Sequence, residues 1–90
     1  MRLIMDENKF VRREVAGETI LLNLESGSYF TLNESGGKVL LMTLEGKTED
    51  DIVSALCQDF EGANSSVVTC DVRELLSDLK HKKILEDADR

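Results

Sequence analysis

Ninety residues suffice for one domain and one modest core, because a chain this size buries only a little over ~60% of its unfolded surface. A composition of 41% hydrophobic and 32% charged residues fits a globular protein, and a net charge of −7 argues against a general nucleic-acid binder, whose phosphate affinity needs clustered Lys and Arg. The opening MRLIMDENK is too short for a signal-peptide core or a membrane span, so a cytoplasmic chain is expected, in which Cys57 and Cys70 form no disulfide framework.

Phe10–Val15 alternates Val11, Arg13 and Val15 against Phe10, Arg12 and Glu14, the pattern of a half-buried strand. Ala16-Gly17-Glu18 is expected to turn, and Thr19–Leu24 to form a second strand with Ile20, Leu22 and Leu24 on one face. Parity sizes the next turn. A loop of three residues, Glu25-Ser26-Gly27, puts Gly27 at a left-handed position and pairs Leu22 with Phe30 and Ile20 with Leu32, which makes one face uniformly apolar. The third strand is then Ser28–Leu32.

Asn33 is a good N-cap for a helix to about Leu44, with Val39, Leu40, Thr43 and Leu44 near one face. Gly36 and Gly37 inside it point either to a close approach to the sheet or to a frayed first turn. Thr48 caps a second helix whose first-turn acids, Glu49, Asp50 and Asp51, face its positive end, and Ile52, Val53, Leu56, Cys57 and Phe60 form its core stripe. Glu61–Thr69 is expected to be a loop, with Thr69 or Asp71 capping a third helix. Val72, Leu75, Leu76 and Leu79 give that helix its stripe, Lys80, Lys82 and Lys83 complement its C-terminal dipole, and Ile84-Leu85 packs back on the core. Glu86–Arg90 is a charged tail with no strand signal. The expected architecture is a single α+β domain over residues 1–90, with its core at about 10–86. It is winged-helix-like: an N-terminal three-stranded antiparallel sheet followed by three helices.

No catalytic constellation assembles. His81 stands alone among lysines, Cys57 is explained as a small core hydrophobe, and Cys70 beside the loop has no partner base. Helix capping accounts for the acids at 49–51 better than a metal site, no glycine-rich phosphate loop follows a strand, and no cofactor is expected. What remains is the edge of the third strand, which carries Tyr29, Phe30 and Thr31 without the Lys or Pro that normally blunts one. It fits an added peptide strand, a second copy of the chain pairing through the same edge, or a cover from the third helix.

The run ILLNLESGSYFTLNESGGKVLLMTLEG, then TEDDIVSALCQDF and DVRELLSDLKHKKILE, resembles the coenzyme PQQ synthesis protein D (PqqD) family over about residues 10–86. The hairpin ending Tyr29-Phe30, followed by Leu32-Asn33-Glu34 and Gly36, is its most specific part. The resemblance implies a non-catalytic recognition element for ribosomally made, modified peptides. Such an element binds the leader segment of a precursor and presents it to a modifying enzyme, such as a radical SAM enzyme or a leader peptidase, in a PQQ, lasso or other pathway. It also implies that the leader adds antiparallel to the third strand, over Ser28, Tyr29, Phe30, Thr31 and Leu32, in a cleft against the third helix. There Val72, Arg73, Leu76 and Lys80 are the expected contacts by spacing. Two positions depart from the family pattern: Leu40, where a tryptophan is frequent, and Lys83, where a glycine often ends the third helix. The alternative class is a winged-helix-like nucleic-acid-binding or dimerising module, which the net charge opposes.

Overall fold

The computed structural model describes residues 3–59 and 62–88; Phe60, the expected end of one core stripe, lies outside them. Chain order is β1 (Leu3–Ile4), β2 (Phe10–Val15), β3 (Glu18–Asn23), β4 (Tyr29–Leu32), α1 (Glu34–Leu44), α2 (Glu49–Asp59), α3 (Ser65–His81) and β5 (Glu86–Asp87). The α+β, winged-helix-like arrangement is as expected: an antiparallel sheet in the order β2-β3-β4, followed by three helices.

Strands β2 and β3 turn tightly at Ala16 and Gly17, both at positive φ, so that Val15 pairs with Glu18. The β3–β4 register differs from expectation. Leu22 faces Tyr29, Leu21 faces Phe30, Ile20 faces Thr31 and Thr19 faces Leu32. The cause is Asn23, whose side-chain Oδ1 accepts from the backbone N–H of Glu25 (2.9 Å) and Ser26 (3.2 Å). This Asx turn starts the loop earlier than counting apolar residues implies, and it lengthens the loop to Leu24-Glu25-Ser26-Gly27. Asn23 N–H then donates to Ser28 O and Gly27 N–H to Asn23 O, both at 2.8 Å, with Gly27 at φ 76°. The core face of the hairpin is consequently Thr19, Leu21, Phe30 and Leu32; Ile20, Leu22, Tyr29 and Thr31 occupy the outer face.

Helix α1 begins at Asn33, whose Oδ1 accepts from Gly36 N–H at 2.8 Å. Both helical glycines are buried, and a Cβ on Gly37 would collide with Thr19 Oγ1 on β3, so close approach to the sheet is the reason for the pair. Helix α2 opens with a reciprocal cap: Asp51 N–H donates to Thr48 Oγ1 and Thr48 N–H to Asp51 Oδ2, each at 3.1 Å. These bonds from Thr48, backbone first, hold the Asp51 carboxyl below its ordinary value.

Helix α3 starts earlier than expected. Its cap is Asn64, whose Oδ1 accepts from Ser66 and Val67 N–H, so neither Thr69 nor Asp71 serves. The β-branched Val67-Val68-Thr69, expected to be loop, is the helix's first turns; Val68 packs against the apolar cluster of Val39, Ile52, Val53, Leu56 and Val72, and that packing outweighs weak propensity. A second cluster, Phe10, Leu21, Leu40, Leu79, Ile84 and Leu85, lies under the sheet, and Leu75 and Leu76 of α3 contact both.

At the end of α3, Lys83, one of the two positions that depart from the resemblance, takes the left-handed conformation, at φ 63°. Lys83 N–H donates to Lys80 O and Ile84 N–H to Leu79 O, which forms a Schellman closure that turns Ile84 and Leu85 into the core. The tail beyond them is not purely a tail: Glu86 and Asp87 pair antiparallel with Ile4 and Leu3. Two two-residue strands carry too little pattern to be seen in sequence.

Candidate functional site: the edge of β4 and its groove

In the three-stranded sheet β4 pairs only with β3, and no described strand occupies its other side. The bond from Asn23 N–H to Ser28 O sets the alternation, so Phe30 and Leu32 turn their backbone groups toward β3. The N–H and C=O groups of Tyr29 and Thr31 therefore point away from the sheet, along the free edge. Their side chains lie on the outer face, where Tyr29 is 69% exposed, while the side chains of Phe30 and Leu32 pack against the core. The strand expected to bind, Ser28–Leu32, thus offers backbone at alternate positions and, of its side chains, only Leu32 to the cavity beside it.

A groove does lie beside it. A cavity of about 500 Å³ opens between the end of β4 and helices α1 and α3, walled by Leu32, Val39, Leu56, Val68, Val72 and Leu75. Asn33, Ser35 and Asp71 are the polar and charged members of its lining. Beyond Leu75 and Asp71 it continues into a second depression with Glu74, Ser77, Asp78 and His81. Farther along α3, Lys82 Nζ sits 5.6 Å over the Phe30 ring and donates to Asp78 Oδ2 at 2.9 Å. The groove-facing row of α3 is therefore Val68, Asp71, Leu75 and Asp78, at helical spacing, with Lys82 just past its end.

Of the helix residues expected by spacing, Val72 lines this cavity and is itself nearly fully buried. The other three stand elsewhere. Arg73 Nε donates to Glu49 Oε1 at 2.6 Å, tying α3 to α2, and this partner raises its pKa further. Lys80 Nζ lies 3.8 Å from Asp87 Oδ1, against β5. Leu76 lines a depression on the opposite flank with Leu3, Thr48 and Lys80. Val68, Asp71 and Leu75, which were not among the expected contacts, also line this cavity; the late expected start of α3 had hidden Val68.

Cys57 is half-buried against the cluster of Val39, Ile52, Val53, Leu56 and Val72, and Cys70 and His81 are exposed. Among the described residues, no group of three or more His, Cys, Asp or Glu is placed to hold a metal ion, and no helix is long and apolar enough to cross a membrane.

Comparison with known proteins places the chain among relatives. The family model described as coenzyme PQQ synthesis protein D (PqqD) matches residues 18–85. A solved structure described as TbiB1 in complex with the TbiA(beta) leader peptide superposes with a TM-score of 0.81 at 29% identity, over 97% of this chain and 99% of that one. Another, described as lasso peptide synthetase B1 complexed with the leader peptide, gives 0.86 at 18% identity, over 97% of this chain and all of that one, and shows the shared fold. A search of curated proteins returned no match.

Proposed function

The chain belongs to the coenzyme PQQ synthesis protein D (PqqD) family, and from that premise we propose that it is a non-catalytic carrier of a precursor's leader peptide. The leader adds as a further strand on β4 and is presented to a peptide-modifying enzyme in the cytoplasm. The observation that carries this reading is the free edge of β4 beside an apolar groove. Its likeness to a structure described as holding a leader peptide supports the same reading.

Binding of this kind divides its labour. The outward N–H and C=O groups of Tyr29 and Thr31 supply main-chain hydrogen bonds, which carry little sequence information. Selectivity comes from side chains of the added strand that enter the cavity against Leu32, Val68, Val72 and Leu75. Ser28, Phe30 and Leu32 hold the strand in place through β3 and the core. Arg73, Leu76 and Lys80 act structurally, on flanks away from the groove. No group in the groove is arranged as a nucleophile with its base, so the chemistry belongs to the enzyme that receives the peptide. A nucleic-acid reading is disfavoured by the net charge of −7 and by the acids along the exposed side of α3.

The test is a titration of isotopically labelled chain with the leader of a precursor encoded beside it and with the TbiA(beta) leader, following backbone amides. Saturable shifts centred on Ser28–Leu32 and on Val68–Leu75 support the reading. Saturable binding that leaves the β4 amides unmoved rejects strand addition. Dimerisation through β4 would instead show as shifts that follow protein concentration without peptide.

A further inference from the structure

The groove is not basic, despite the lysines and arginine of α3. Arg73 is held by Glu49, Lys80 lies against Asp87 and Lys82 is paired to Asp78. Asp71 remains, and it occupies a particular place: it lines the apolar cavity together with Leu32 and also the adjoining depression with Glu74, Asp78 and His81. Among the described residues no ion pair engages its carboxylate. The groove wall thus carries Asp71, Glu74 and Asp78 beside His81, and Lys82, next to it over the Phe30 ring, is already paired to Asp78.

A peptide lying in this groove removes water from one side of Asp71. A carboxylate partly stripped of water and left without a counter-charge opposes binding, whereas a cation placed beside it restores the balance. Lys and Arg suit the position doubly, since their methylene stems can lie along Leu75 and Val68 while the charged head stays at the rim. An acidic side chain there is rejected by the same field, which a body of net charge −7 reinforces.

Resting on the leader-binding reading, we propose that Asp71 is a specificity-determining residue: it selects leader peptides that carry a lysine or arginine next to the apolar residue filling the cavity. The occupant of the groove is a locally cationic extended peptide.

A displayed random-peptide library panned against the full chain, against Asp71→Lys and against Asp71→Asn tests this. The native chain enriches apolar peptides bearing Lys or Arg, Asp71→Lys enriches Asp or Glu in the same place, and Asp71→Asn loses the preference. A peptide chosen by the native chain binds Asp71→Lys roughly fivefold more weakly at low salt, and changing its cation to Glu restores binding. Glu14→Lys, an equal charge change on the distant strand β2, leaves the selected composition as it was. Peptides that shift the β4 amides but show the same charge composition for all variants overturn this proposal alone. Selected peptides that leave the β4 amides unmoved overturn the leader-binding reading and this proposal with it.

Discussion

Gly37 of α1 rests directly against Thr19 of β3: the hydroxyl Oγ1 of Thr19 fills the space where a Cβ at position 37 would stand. Thr19 is itself buried, at 3% exposure, so it has nowhere to retreat. Helix α1 is thereby seated low on the sheet, which brings the helix start at Asn33–Gly36 to the cavity wall beside Leu32.

Replacing Gly37 with alanine tests that seating. Helix propensity alone predicts a gain of about 1 kcal/mol. Overpacking against Thr19 reverses the sign, and a net loss of about 2 kcal/mol is expected in chemical denaturation. The double change Gly37→Ala with Thr19→Ala, which removes the hydroxyl that meets the new Cβ, recovers part of it.

Thr31→Pro removes an N–H that points out from the free edge while leaving the pairing of Phe30 and Leu32 with β3 in place. Leader affinity should fall roughly tenfold or more, since a main-chain bond is lost and the ring obstructs the incoming strand. Thr31→Val, which keeps the N–H, should bind as the native chain does. Isothermal titration of both variants decides whether backbone or side chain is used at this position.

Arg73→Ala and Lys80→Ala should each leave leader affinity within about twofold, because both cations are engaged on flanks away from the groove. Leu75→Ala, which enlarges the cavity, should weaken binding by more than either. A larger effect from Arg73 or Lys80 than from Leu75 would move the peptide to another face of α3.

Lys83→Gly should stabilise the fold by about 1 kcal/mol, as the residue sits at φ 63° in a Schellman closure that glycine enters without steric cost. The gain is read as a rise in the denaturation midpoint with an unchanged slope. Lys83→Val, β-branched at a left-handed position, should lower the midpoint.

Much of this molecule was determined by residues acting on their near neighbours. The extent of β2, the caps at Asn33 and Thr48, the left-handed Gly27, the stripes of the helices and the unblunted edge at Tyr29–Leu32 all follow from side chains within a turn or a few residues of each other. Period and capping chemistry are local, so they are legible in one sequence. The family resemblance, carried by the hairpin and the order of the helices, belongs with them.

What the tertiary structure decided depends on competition between local signals or on distant partners. The β3–β4 register was settled by Asn23, whose side chain captures two backbone N–H groups and places Leu21, in preference to Ile20 and Leu22, in the core. The start of α3 moved to Asn64 because Val68 finds apolar partners on α1 and α2. The pairing of Leu3-Ile4 with Glu86-Asp87 joins the two ends of the chain through backbone bonds that side-chain pattern does not announce. The charge of the groove was decided in the same way. Arg73 and Lys80 are taken up by Glu49 and Asp87, residues distant in sequence or beyond the helix end, and Asp71 is left on the cavity wall without an ion pair among the described residues. Composition specifies how many charges a helix carries, but only packing determines which of them remain to meet a ligand.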